Sequence, residues 1–117
     1  MYSLSKFIKI FFSFIALVLA FQDAQASSQD QMAFGLAKQN ACLGCHAMNK
    51  KIVGPSFESV AQKYQSDPNA SIFLKNKIAK GGAGSWGVVP MPANAKLSDA
   101  DLSLLTSWIL RGAPTKN

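Results

Sequence analysis

Both cysteines of the chain and its single histidine lie within five residues, in the segment Cys42-Leu43-Gly44-Cys45-His46. The C-x-x-C-H pattern is the attachment signature of c-type haem, in which two thiols bond to the two vinyl groups of the porphyrin. The imidazole that follows is then placed to bind the iron as its proximal ligand. The motif therefore predicts one haem c, covalently attached through Cys42 and Cys45, with His46 on the iron.

Other chemistries also use a CxxC pair. A disulfide or a thioredoxin-like redox pair is one alternative, but no alternation of strands and helices surrounds the motif. Half of a zinc site is another, but the chain has no second CxxC and no second histidine to complete four ligands. A chance match is the third. The histidine count and the leader described next favour haem.

Residues 1–26 have the pattern of a cleavable secretory signal peptide. Lys6 and Lys9 precede an apolar stretch over 10–21 that only Ser13 interrupts, and Ala24-Gln25-Ala26 offers a small-x-small cleavage site. An uncleaved membrane anchor is the alternative, but a stretch of twelve residues falls short of the roughly twenty that a bilayer span needs. We expect a single domain at 27–117 in an exported compartment, without a stable membrane anchor.

Composition limits what that domain does. The full chain has 117 residues, a net charge of +6 and 49% hydrophobic residues, but 18 residues of that apolar set fall in the first 26. The remainder is a lean, basic chain, whose protein core alone would be marginal. A bulky bound haem would complete it, and we expect the haem-free chain to be largely unfolded. The single arginine, Arg111, disfavours a nucleic-acid surface.

The apolar periodicity predicts an all-α domain of about four helices joined by long loops at 41–54 and 81–97. The first expected helix is 28–40, with Ser28 or Asp30 as its cap, and the second follows Gly54-Pro55 with the apolar series Phe57, Val60, Ala61 and Tyr64. The third is 71–80, with Phe73, Leu74 and Ile78 facing inward. The fourth runs from Ser98 to Gly112, with Leu102, Leu105 and Ile109 facing inward.

The sixth iron position requires a second ligand, which the residues leave to Met, Lys or an open site. Met48 follows His46 too closely to round the edge of the haem, because two residues span about 7 Å at most. Met32 fits the core of the first helix. Met91 lies between Pro90 and Pro92, which restrict its backbone. Met91 is therefore the preferred ligand, and a gap-filling role in a proline-rich loop is the alternative.

With these residues, the chain resembles the class I cytochromes c, specifically the small monohaem electron carriers of the bacterial periplasm. The matching segments are CLGCH at 42–46, VGPSF at 53–57, WGVVPMPAN at 86–94 and SWI at 107–109, in the family's order. The resemblance covers 30–113. It implies the small class I fold, with helices and long loops wrapped around one haem.

The resemblance also implies roles residue by residue. Cys42 and Cys45 would form the thioethers, and His46 and Met91 would bind the iron. The carbonyl of Pro55 would accept the proton on the outer nitrogen of His46, Asn94 would orient the methionine, and Trp86 would hydrogen-bond a haem propionate. Loop packing is the alternative for Trp86 and Asn94. The chain departs from the family where an aromatic usually precedes the cysteines, since 36–38 reads Leu-Ala-Lys and Phe34 comes a turn earlier.

The function that follows is one-electron transfer between redox proteins, without catalysis by the chain itself, and we expect a monomer. A haem subunit of a periplasmic oxidoreductase complex is the first alternative, and a gas-binding protein with an open sixth position is the second. Eight lysines spread over the mature chain either form an ordinary solvated surface or steer docking onto an acidic partner: Lys38, Lys50, Lys51, Lys63, Lys75, Lys77, Lys80 and Lys96.

Overall fold

The computed structural model describes residues 4–115, so the first three residues of the expected leader and the last two of the chain lie outside it. Four α-helices and a 3₁₀ turn succeed one another: α1 at Leu4–Gln39, the 3₁₀ turn at Cys42–Gly44, α2 at Phe57–Tyr64, α3 at Ala70–Lys80 and α4 at Asp99–Leu110. The described residues contain no named strand. The all-α prediction with long loops at 41–54 and 81–97 is confirmed.

The first helix differs from its prediction at one end. It ends at Gln39 as expected, but it begins at Leu4 instead of near Ser28, so Ser28 and Asp30 lie inside the helix and cap nothing. The physical reason is that 4–34 contains neither glycine nor proline, and no residue there breaks the helix. Within 4–115, no helix is both long and apolar enough to cross a membrane.

The starts of α2 and α4 follow their cap residues. The Ser56 hydroxyl accepts a hydrogen bond from the Ser59 backbone N–H at 3.0 Å. At α4, the Ser98 hydroxyl accepts from the backbone N–H of Asp101, and the Asp101 carboxylate accepts from the backbone N–H of Ser98. This reciprocal capping box satisfies two donors that a helix terminus otherwise leaves unpaired. The sequence therefore determines where both helices begin.

The core lies where α4 packs against the other three helices. Trp108 is fully buried there, and its indole N–H donates to the Pro114 carbonyl at 3.0 Å. Ala33 and Ala37 are also fully buried, so small side chains let α1 approach α4 closely. The Phe34 ring meets the Trp108 ring edge-on, with 6.3 Å between centroids. Phe34 thus makes the aromatic contact between α1 and α4, about one turn before the position expected from the resemblance.

Two ion pairs hold the ends of α4. The Arg111 guanidinium contacts the Asp30 carboxylate of α1 at 2.6 Å, and the Lys75 ammonium of α3 contacts the Asp99 carboxylate at 2.8 Å. Both pairs are exposed to solvent on at least one side, so each contributes little to stability. They join α1 and α3 to the two ends of α4.

Candidate functional site

A cleft of about 270 Å³ opens between α2, α3, α4 and the two long loops. Cys42, Cys45, His46, Trp86 and Met91 all line it. Much of its remaining wall is apolar and comes from the helices, through Val60, Leu74, Ile78, Leu105 and Ile109. The fold therefore brings the two cysteines expected to attach a haem, the histidine and one methionine to a single apolar cleft.

The 3₁₀ turn presents the two cysteines. Ala41 precedes it with φ +58°, and the His46 backbone N–H donates to the Cys42 carbonyl at 2.9 Å. This tight turn brings Cys42, Cys45 and His46 to the lining of the same cleft. Burial raises the pKa of the Cys42 thiol.

The His46 imidazole is fixed on three sides. Its Nδ1 lies 2.7 Å from the Pro55 carbonyl oxygen, so Nδ1 carries the proton and donates it. Phe57 stacks on the ring at 5.3 Å between centroids and an interplanar angle of 17°. Gly54 lies so close that a Cβ there would stand 2.5 Å from the imidazole Cε1. With Nδ1 engaged in this way, Nε2 is the ring nitrogen that could bind a metal, an arrangement typical of metal-ligating histidines.

The backbone around Met91 is held by a short antiparallel pair. The Met91 N–H donates to the Gly82 carbonyl, and the Gly82 N–H donates to the Met91 carbonyl, each at 2.9 Å. Gly81 has φ +69°, and a Cβ there would collide with the Met91 carbonyl oxygen. Glycines at 81 and 82 therefore allow the loop to return beside α3 and deliver Met91 to the cleft.

The other two methionines of the described residues lie elsewhere. Met48 lines a second cavity with Glu58 and Arg111. Met32 is 53% exposed on α1, so its expected place in the core is wrong. Met91 is thus the one methionine of residues 4–115 on the cleft wall. A histidine nitrogen, a methionine sulfur and two thiols against apolar walls form a donor set that suits a haem c.

Trp86 and Asn94 occupy different surroundings. Trp86 lines the cleft and remains 44% exposed, with the Lys63 ammonium 4.4 Å from the centre of its ring. Asn94 donates its backbone N–H to the Ile78 carbonyl at 3.0 Å, which anchors the loop after Met91 to α3. The role of Trp86 toward a propionate and that of Asn94 toward the methionine stay predictions.

The roles of three residues of the site were not predicted from the sequence. Gly54 and Phe57 lie within the VGPSF segment, but nothing in the sequence indicated that both contact the histidine ring. Gly54 directly precedes Pro55, whose carbonyl was expected near His46, and this adjacency could have indicated that Gly54 also lies close to the ring. Lys63 was one of eight surface lysines, and its contact with a loop 22 residues away has no sequence signature.

Comparison with known proteins agrees with this geometry. The family model described as cytochrome c matches residues 33–113. The chain belongs to the cytochrome c family. It is a class I monohaem cytochrome c, an electron carrier with one covalently bound haem c.

Relatives and solved structures give the extent of the likeness. Cytochrome c-552 of Nitrosomonas europaea is 45% identical over 75 residues, which cover 64% of this chain and 73% of the relative. Cytochrome c-551 of Allochromatium vinosum is also 45% identical over 75 residues, covering 64% and 80%. The crystal structure of wild-type Nitrosomonas europaea cytochrome c552 has a TM-score of 0.64 and 44% identity, covering 67% of this chain and 96% of that one. The likeness therefore extends over nearly the whole of that structure.

Proposed function

We propose that this cytochrome is a periplasmic one-electron carrier whose iron is held by His46 and Met91 and whose partners are other redox proteins. The observation that carries the ligand assignment is the cleft itself. Among residues 4–115 it contains the histidine, one methionine and both cysteines, while Met32 and Met48 lie outside it. The proposed role is electron carriage rather than catalysis of a substrate reaction.

The chain's contribution is rigid ligation. When bound, the haem supplies a one-electron couple between Fe(II) and Fe(III). The Pro55 carbonyl holds the His46 proton on Nδ1, which fixes the tautomer and the orientation of the ring. The Gly82 pair fixes the backbone of Met91. If His46 and Met91 both bind the iron, no coordination position would remain for a substrate or a gas.

Export to the periplasm is proposed from the leader. Residues 1–26 carry the signal-peptide pattern, and in α1 large apolar side chains such as Leu4, Phe7, Phe11 and Phe14 are exposed. Such apolar surface is unfavourable in water, which is consistent with a segment that is removed after export. We propose 27–117 as the mature domain, without a membrane anchor. N-terminal sequencing of the exported protein tests the cleavage site.

Docking is proposed at the mouth of the cleft. Exposed apolar side chains there include Val53, Trp86 and Val89, and Lys51 and Lys77 also line the cleft. Apolar contact with flanking positive charge suits a transient encounter with an acidic protein surface, where the charges raise the association rate. Electron transfer to the partner should then slow as salt increases. Equal rates at low and high salt would contradict electrostatic steering.

Substitution of each methionine tests the ligand assignment. Ferric Met91→Ala should lose the sulfur-to-iron charge-transfer band, because the proposed sulfur ligand is removed. Met48→Ala and Met32→Ala are matched controls and should keep it. A band that survives in Met91→Ala would overturn the assignment.

Gel filtration distinguishes the expected monomer from a subunit of an oxidoreductase complex.

A further inference from the structure

The segment that leads to Met91 is rich in glycine. Residues 81–89 read GGAGSWGVV, and all four glycines have positive φ, between +69° and +113°. Glycine loses more conformational freedom on ordering than any other residue, so such a loop is entropically costly to hold in one conformation. We call residues 83–90 the glycine loop; the Gly82–Met91 backbone pair closes its base. A contact at the tip of the glycine loop, far from this base, would therefore help to hold the loop in one conformation.

Lys63 of α2 provides that contact. Its ammonium donates to the Ser85 carbonyl at 2.6 Å and lies 4.4 Å from the centre of the Trp86 ring. Within residues 4–115, Lys63 is the one residue outside the glycine loop that hydrogen-bonds to it. A cation on both a carbonyl and an aromatic face combines a charge-assisted hydrogen bond with a cation–π interaction. Lys63 thus ties α2 to the tip of the loop.

The position of this tie couples it to the cleft. Ser85 and Trp86 lie six and five residues before Met91, and Ser85, Trp86 and Met91 all line the same cleft. If the tip detaches from α2, the hydrogen bonds between Gly82 and Met91 at its base are the ones that still join the loop to the rest of residues 4–115. Outward movement of the loop would then pull on that pair and carry Met91 away from the cleft. Holding the tip should therefore keep the sulfur in place.

We propose that Lys63 is a positioning residue that ties the glycine loop to α2 and thereby limits dissociation of the Met91 sulfur from the iron. The inference rests on the proposed ligation by Met91. It also removes Lys63 from the lysines that serve docking, since its ammonium is already occupied by Ser85 and Trp86.

The rate at which ferric holoprotein binds added imidazole measures the proposal. Imidazole enters only after the methionine sulfur leaves, and because it is not an anion, losing a positive charge changes its attraction little. Lys63→Met should bind imidazole roughly fivefold faster, the factor that corresponds to about 1 kcal/mol for an exposed charge-assisted contact. Lys38→Met on α1 removes the same charge from an exposed site and should stay near the wild-type rate. Lys63→Arg retains a cation that donates and stacks, and should restore most of the tie.

Hydrogen exchange separates the tie from the ligation. The amides of 83–89 should exchange faster in Lys63→Met than in Lys38→Met, because the loop opens locally more often. Unchanged exchange, or an imidazole rate equal to that of Lys38→Met, would overturn the proposal. If Met91→Ala binds imidazole no faster than wild type, the ligand assignment fails. Faster loop exchange in Lys63→Met would then still establish the tie but refute its effect on ligation.

Discussion

Gly54→Ala should damage the histidine side of the site. A Cβ at this position would lie 2.5 Å from the His46 Cε1 and 2.9 Å from Nδ1, whereas ordinary van der Waals contact begins at 3.4 Å. The ring must therefore retreat by about 0.9 Å, the difference between those two distances. Its Nδ1 hydrogen bond to the Pro55 carbonyl, now 2.7 Å, would be lost or severely bent.

Two costs add up in this variant. Overpacking beside a fixed ring and loss of a partly buried hydrogen bond together cost about 3 kcal/mol. For a domain of this size, that corresponds to a fall in Tm of roughly 12–24 °C. Thermal unfolding of the mature ferric holoprotein, followed by circular dichroism, measures this fall.

Gly44→Ala is the matched control. Gly44 lies between the two cysteines, and a Cβ there would meet nothing within 4 Å. Its Tm should therefore stay close to wild type. If Gly54→Ala and Gly44→Ala shift Tm equally, the close approach of Gly54 to the imidazole does not position the ring, and the reasoning is refuted.

Two further predictions concern α4. The Thr106 hydroxyl is fully buried and, within residues 4–115, has no hydrogen-bond partner. Thr106→Val should therefore raise the free energy of unfolding, measured with denaturant, by about 1 kcal/mol. A lower free energy of unfolding would show that the hydroxyl does have a hydrogen-bond partner. Ser98→Ala breaks the capping box and should cost about 1 kcal/mol, lowering Tm by roughly 4–8 °C. An unchanged Tm would mean that the box adds nothing to the start of α4.

The sequence predicted the helices because each helix segment contains its own apolar spacing or cap residue. The spacing of Phe57 and Val60 set the buried face of α2, and Ser98 with Asp101 set the start of α4. Leu74 and Ile78 of α3 are buried as expected. Phe73, expected inward, is 37% exposed and instead lines the cleft near Tyr64, because the cleft reaches that side of α3.

The contacts that position the site were harder to predict because they join residues distant in sequence. The Lys63 tie spans 22 residues, and the stack of Phe57 on His46 depends on how the 41–54 loop folds back onto α2. The fusion of the leader with the first helix was missed for another reason. The first helix was expected to begin at a cap residue, Ser28 or Asp30. No glycine or proline between 4 and 34 prevents it from beginning earlier.

A redox-titrated visible spectrum of the mature holoprotein tests the central claim most directly. With His46 and Met91 on the iron, the titration should follow a single one-electron step, and both states should be low-spin. The ferric form should show the sulfur-to-iron charge-transfer band. A high-spin ferric spectrum without that band, in a protein that binds carbon monoxide readily when reduced, would contradict the account, because it would mean an open sixth position and a gas-binding protein.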